Sequence, residues 1–269
     1  MIRLALSVIG SLTAWIAYYL GIRKYVTFEN LRRAYPELSE NQQKLIAIKS
    51  YSNLGIVFAE MLYLRFAGKE NIQKHITVSN PQLFHKYIKE ENGLIVVAGH
   101  FANWEWLAVG GALVLHENFA IVRKNIPTSF AEKFLEKMRI RSGNSLINSG
   151  DIRRMFSTLQ NGKCIALLAD QAAPANSCKV RFFGREVPTF EGPARLALRT
   201  KSPMLFAECI RGINGDYIIT FHDIPHTDLI EDSVDNIKEL TYRHTHLLED
   251  AIRRHPDQWL WQHRRWKNA

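Results

Sequence analysis

The chain opens with a run free of charge from Leu4 to Ile22. Ser7, Gly10, Ser11 and Thr13 interrupt it, so it is only moderately hydrophobic. As a helix it would extend roughly 28 Å, close to the thickness of a hydrocarbon core. Tyr18 and Tyr19 lie near its end and Arg23 and Lys24 follow. Aromatic and then basic residues mark a membrane boundary with the cytoplasm on the basic side. The pattern predicts a membrane anchor over residues 1–23, either spanning the bilayer or lying in its interface. A buried helix is the competing reading. A cleaved signal peptide fits less well, because the run is long and no small-x-small site precedes the basic residues.

The rhythm then changes. From Ser39 to Leu64, apolar residues fall at helical spacings, and Ser39 with Gln42 makes a capping box. After Val78, short apolar runs alternate with helical stretches. Strands are expected at Leu94–Gly99, Phe119–Arg123, Ser145–Asn148, Cys164–Ala169, Met204–Cys209 and Tyr217–Phe221. Helices are expected at Asn103–Leu115, Ser129–Arg141, Ile152–Gln160, Gly192–Thr200 and Val234–Arg254. Such alternation predicts an α/β fold, with a largely parallel central sheet flanked by helices. No repeat or long linker divides residues 24–269, which read as one catalytic domain.

Composition narrows the partners. Of 269 residues, 46% are hydrophobic, enough for a sizeable core, and the formal charge is +9. That charge calls for an acidic partner: nucleic acid, an anionic membrane or an acidic carrier protein. No aromatic-basic RNA signature or zinc-finger spacing occurs, so nucleic acid ranks last. Cys164, Cys178 and Cys209 are scattered and odd in number. They argue for a reducing compartment, and without a CxxC pair they predict no metal site.

The chemistry centres on His100 and Glu105, directly after the apolar run Leu94–Ala98. The carboxyl end of a strand is where α/β sheets usually build their sites. Five residues along a regular helix would point the two side chains apart. They can meet only if His100 lies in the turn and Glu105 in the first helical turn. A carboxylate on one ring nitrogen fixes the tautomer and frees the other nitrogen to take a proton. No Ser or Cys nucleophile adjoins the pair. Direct transfer is therefore the simpler reading, with His100 deprotonating a hydroxyl that attacks an acyl group. A surface histidine beside a capping glutamate is the bland alternative.

His100-Phe101-Ala102-Asn103-Trp104-Glu105 matches the HxxxxD/E motif of the glycerolipid and lysophospholipid acyltransferase superfamily. More narrowly, the chain resembles the late acyltransferases of bacterial lipid A biosynthesis, from about Lys24 to its end. Glu29–Glu37 resembles that family's ENLRxAFPE block. Ala169-Asp170-Gln171, Phe182-Phe183-Gly184, Glu191–Ala197 and Gln258–Lys267 follow in the family's order. The resemblance implies transfer of a fatty acyl chain from acyl carrier protein to a hydroxyl of a lipid A precursor. It places the enzyme at the bacterial inner membrane, with its catalytic domain on the cytoplasmic side. His100 would be the base and Glu105 its partner. No metal or redox cofactor is expected, since an acyl thioester is already activated. The stretch ahead of the anchor is shorter than in typical members. Two alternatives stand beside this reading. One is acylation of another glycolipid, aminolipid or phospholipid, with acyl-CoA as a possible donor. The other is a non-catalytic membrane lipid-binding protein.

Further candidates lie at the same sheet edge. Arg123 and Lys124 end the second of these strands, where a cation can hold a phosphate or an oxyanion. Arg123 is preferred for its planar fork. Asp170 and Gln171 follow another strand. The segment Ala172–Pro188 reads as a long loop, and long loops often carry function. It holds Arg181 and Arg185 around Phe182 and Phe183, and ordinary core is the competing reading for the phenylalanines. The superfamily resemblance places this region among the substrate-binding elements. Glu191, Gly192 and Pro193 open a helix whose free N–H groups suit an anion, and the resemblance adds Glu191, Gly192 and Arg195 to the substrate-binding set. The C-terminal tryptophans read either as interfacial or as core, with core favoured for Trp259 and Trp261. His263 is assigned a structural role. His244 and His246 point to different faces of a helix and do not form a metal pair.

Overall fold

Three long helices open the chain in the computed structural model, which describes residues 2–90, 92–124 and 129–269. They are α1 (Ile2–Tyr19), α2 (Lys24–Ala34) and α3 (Glu40–Phe66). The expected capping box opens α3: Ser39 Oγ accepts from Gln42 N–H, and the Gln42 side chain accepts from Ser39 N–H. A short α4 (Lys69–Gln73), β1 (Ile76–Val78) and α5 (Pro81–Ile88) lead into the alternating part. There β2 (Leu94–Ala98), α6 (Trp104–Leu115), β3 (Phe119–Arg123), α7 (Phe130–Ile140), β4 (Ser145–Asn148), α8 (Ile152–Gln160) and β5 (Cys164–Leu168) follow the expected pattern closely. A hairpin of β6 (Lys179–Phe182) and β7 (Arg185–Pro188) comes next. Then come α9 (Gly192–Thr200), β8 (Met204–Arg211), β9 (Tyr217–Asp223) and α10 (Val234–Arg254).

Seven strands form one sheet in the order β1-β9-β8-β2-β5-β3-β4. The pairs from β8 to β4 are parallel, while β9 runs antiparallel to β8. Strands buried on both faces are continuously apolar rather than alternating, and β2 (Leu94-Ile95-Val96-Val97-Ala98) is buried at every position.

Connection handedness places the helices and, through them, the site. From β2 the chain moves outward to β3 and β4, carrying α6 and α7 on one face. After β4 it turns back to β5 and then to β8, carrying α8 and α9. Right-handed crossovers require the reversed direction to use the opposite face. The loops leaving β2 and β5 therefore diverge to opposite faces although these strands are neighbours. A crevice opens between them at the carboxyl edge, the usual binding point of such sheets. His100 follows β2 and Asp170 follows β5.

The segment expected as a long loop is irregular only over 172–178; from Lys179 it is instead the β6–β7 hairpin, paired from Lys179 with Pro188 to Phe182 with Arg185. Its two-residue turn is Phe183 and Gly184, both at positive φ (50 and 71), as a type I′ hairpin turn requires. Phe182 and Phe183 are buried, so the core reading holds for both. The same is true of Trp259, Trp261 and Trp266.

Candidate active site

The turn after β2 is built so that a carboxylate from β5 can reach it. A Cβ at Gly99 would sit 3.1 Å from Asp170 Oδ2 and 2.6 Å from Leu248 Cδ1. Glycine therefore permits the close approach. Asp170 accepts from the His100 backbone N–H (2.7 Å), from His100 Nδ1 (2.7 Å) and from the Trp259 indole N–H (2.9 Å). Burial opposes ionisation of Asp170, but the His100 charge and these donors outweigh it and bring the carboxyl down to about 2. An ionised acceptor on Nδ1 sets the tautomer, leaving Nε2 of the neutral ring as the proton acceptor.

The carboxylate expected beside His100 was Glu105, and here the structure corrects the sequence reading. Glu105 lies in the first turn of α6, as that reading required, but its side chain turns to α7. Arg139 grips it with Nε at 2.9 Å and Nη2 at 2.5 Å, and Glu105 is 1% exposed. Burial works against the Arg139 charge, yet the bonds and charge of Glu105 raise its pKa overall. The partner that holds His100 is Asp170, seventy residues on in sequence and one strand over in space.

The rest of the turn is fastened from several sides. Ala102 has φ 44, a left-handed conformation that costs a residue with a Cβ about 1 kcal/mol or more. It is held there by its N–H to Gln258 O (2.7 Å) and by Asn53 Nδ2 to its own carbonyl (3.1 Å). Asn103 caps α6, its Oδ1 accepting from the Glu105 and Trp106 N–H groups, and its Nδ2 donates to Glu60. Leu260 N–H donates to His100 O. The C-terminal segment thus serves as a brace behind His100. Its Trp259 bond to Asp170 was not apparent in the sequence, where nothing local links the two. His263 braces as well, its Nε2 accepting from Ala172 N–H at 3.1 Å.

His100 faces a cavity of about 280 Å³ beneath α6. Trp104, Leu107, Ala108, Gly111 and Leu115 line it from the helix. Val96, Ala166, Leu168, Phe119, Ile219 and Phe221 line it from the sheet. Along α6 from Trp104 to Leu115 this face is about 16 Å long by helical rise. One wall is charged, with Arg139–Glu105 and Arg123–Glu132 both on it. Gln171 stands at the mouth, its Nε2 at 3.3 Å from His100 Nε2.

The structure therefore brings His100, Glu105, Arg123, Asp170 and Gln171 to one place. Arg123 enters it already paired with Glu132. The remaining candidates lie outside the cavity lining. Arg181 and Arg185 are exposed on the hairpin, with Arg185 Nε donating to Arg33 O at 3.3 Å. Glu191 and Arg195 pair with each other at 2.8 Å across the first turn of α9, with Gly192 between them in open space.

A histidine held by a buried carboxylate thus opens on an apolar cavity at the edge of this sheet. The chain belongs to the bacterial lipid A biosynthesis acyltransferase family, which it matches over residues 2–268. It is similar to the lipid A biosynthesis palmitoleoyltransferase of Escherichia coli, with 23% identity over 252 residues, covering 93% of this chain and 80% of that protein. It is similar also to the lipid A biosynthesis acyltransferase of Haemophilus influenzae (22% over 272 residues; 96% and 83% covered). A third relative, the Escherichia coli lipid A biosynthesis lauroyltransferase, is 21% identical over 251 residues, with 93% and 80% covered. The protein is an acyltransferase of lipid A biosynthesis, and its acceptor is of the lipid A type.

Proposed function

We propose that this enzyme moves a fatty acyl chain from acyl carrier protein to a hydroxyl of a lipid A precursor. The reaction would take place on the cytoplasmic side of the bacterial inner membrane. The observation that carries the reading is the His100–Asp170 pair at the mouth of the apolar cavity. In the proposed step, His100 Nε2 takes the proton of the acceptor hydroxyl as its oxygen attacks the thioester carbonyl. The carbon–sulfur bond then breaks, and the proton passes to the departing carrier thiolate. The products are an ester and the free thiol. Gln171 occupies the space the hydroxyl must enter, so its amide yields Nε2 to the acceptor. Arg123 and Arg139, on the cavity wall, supply positive potential for the developing oxyanion, tempered by Glu132 and Glu105. Transfer of radiolabelled acyl chain from purified acyl carrier protein to a purified precursor tests the reading. Transfer from acyl-CoA alone would remove the carrier from it.

The apolar cavity is suited to the acyl chain, and Gly111 sits along it. A Cβ there would meet Ile219 Cδ1 at 3.1 Å and Phe119 Cε2 at 3.6 Å. A larger side chain must therefore project into the space or displace these neighbours. Gly111→Val is expected to shorten the preferred chain, read by mass spectrometry of products from a mixed donor pool. An unchanged product profile at full activity would place the chain elsewhere.

The exposed Arg181 and Arg185 suit an acidic carrier or a lipid phosphate. A point charge suffices for that, so lysine should replace either one well. Their alanine variants are expected to raise the apparent KM for the carrier more than they lower kcat. Kinetics with the carrier varied at fixed acceptor check this, and an effect on kcat alone would speak against a docking role.

A further inference from the structure

Length and hydropathy allow α1 to cross a membrane, but its attachments do not suit a crossing. It packs antiparallel on α3 along its whole length. Tyr18 meets Tyr51 with ring centroids 5.3 Å apart. In the middle, a Cβ on Gly10 would lie 2.3 Å from Gly55 O, and one on Gly55 would lie 2.0 Å from Gly10 O. Only paired glycines permit that backbone approach. At the far end, Ser7 Oγ donates to Glu60 at 3.1 Å, and Arg3 pairs with Glu60 at 3.3 Å.

That same stretch of α3 is bonded to the catalytic turn and its brace. Ser50 Oγ donates to Trp259 O, Asn53 Nδ2 to Ala102 O, and Glu60 accepts from Asn103 and the Tyr217 hydroxyl. Both ends of α1 also reach the domain. Arg3 binds Asp216 at 2.7 Å and the Gly215 carbonyl, in the turn between β8 and β9. At the other end, Ile22 O accepts from the Tyr51 hydroxyl, and Arg23 Nε donates to Gln262 O at 2.9 Å. A perpendicular α1 would draw this turn and the sheet edge through the hydrocarbon, where irregular backbone open to lipid does not occur.

The outward face of α1 is apolar all the same. Leu4, Val8, Leu12 and Trp15 are exposed on it. Exposed Phe58, Leu62 and Phe66 of α3 recur at helical spacing from Gly55, on the side where α1 packs. Phe66 in turn meets Phe134 of α7, 6.5 Å between centroids, and α7 forms the charged wall of the cavity. Arg23 and Lys24 sit at the basic end of α1, fit for lipid phosphate.

Resting on the membrane location proposed above, we infer that α1 does not span the bilayer. It lies in the plane of the cytoplasmic leaflet, and with the outer side of α3 it forms an apolar platform that seats the cavity wall of α7 at the lipid surface. Both ends of α1 are then on the same side as the catalytic domain.

The full chain, carrying a short uncharged epitope tag at its N-terminus and a different one at its C-terminus, decides this by protease access. In inverted inner-membrane vesicles both tags are expected to be removed, and in spheroplasts neither. An N-terminal tag removed only in spheroplasts, with the C-terminal tag removed only in inverted vesicles, would show a span and overturn the inference while leaving the membrane location standing. Recovery of the protein outside the membrane fraction would overturn both.

Discussion

His100→Ala is expected to lower turnover by about 10²- to 10⁴-fold, the usual worth of a general base, while the protein still folds. His100 lies at the cavity mouth, and its removal takes out a proton acceptor rather than core packing. Asp170→Asn should approach the same loss for a different reason. The asparagine keeps the shape but loses the charge that favours a proton on Nδ1, so the ring can turn its basic nitrogen away from the acceptor. Asp170 remains ionised down to about 2, so the substitution removes a charge at every working pH. Raising the pH therefore should not rescue the variant. Trp259→Phe removes one of three donors to Asp170 and should cost far less. Steady-state label transfer checks all three, with circular dichroism reporting the fold. Wild-type turnover in a folded His100→Ala protein would remove the base from the mechanism. Wild-type turnover in Asp170→Asn would leave the base and remove its orienting partner.

The central sheet was legible because its strands are unbroken apolar runs between turn signals, as in Leu94–Ala98 and Cys164–Leu168. Helices carry their own caps, such as Ser129 for α7 between β3 and β4 and Ser233 for α10 after the last strand. β1 escaped because three residues, Ile76–Val78, cannot show a period. The β6–β7 hairpin escaped for a chemical reason. Its type I′ turn holds Phe183 at a φ that asparagine or glycine normally supplies. That conformation is maintained by the fold, through the Phe183 N–H to Glu249 at 2.6 Å and burial of the ring.

In the site, the sheet edge and the place of His100 on it were legible, whereas the carboxylate that His100 meets was not. A motif of adjacent residues invites a local pairing, so His100 was matched with Glu105. The pairing is instead set by strand order, which brings β5 beside β2. Asp170 had been placed at the same edge, but sequence offers no measure of which edge residues touch. The braces from Trp259, Asn53 and Glu60 are non-local in the same way.

Glu105→Ala is expected to destabilise the protein by about 3–5 kcal/mol, the cost of removing one partner from a buried ion pair. Arg139 would keep a largely buried charge with no carboxylate to meet it. The Arg139→Met variant should suffer similarly, through the stranded Glu105. Combining Glu105→Leu with Arg139→Met removes both charges and refills the volume with apolar groups. That exchange is often neutral for a buried pair, so the double variant should recover much of the stability lost in either single one. Denaturant unfolding of the wild type, Glu105→Leu, Arg139→Met and the double variant completes the cycle, and a coupling above about 1 kcal/mol marks a direct interaction. Activity then separates structure from chemistry. If Glu105 acts through Arg139 on the cavity wall, a refolded double variant should retain measurable transfer, well above that of His100→Ala. A Glu105→Gln protein as stable as wild type, yet as inactive as His100→Ala, would return Glu105 to direct contact with the base during turnover.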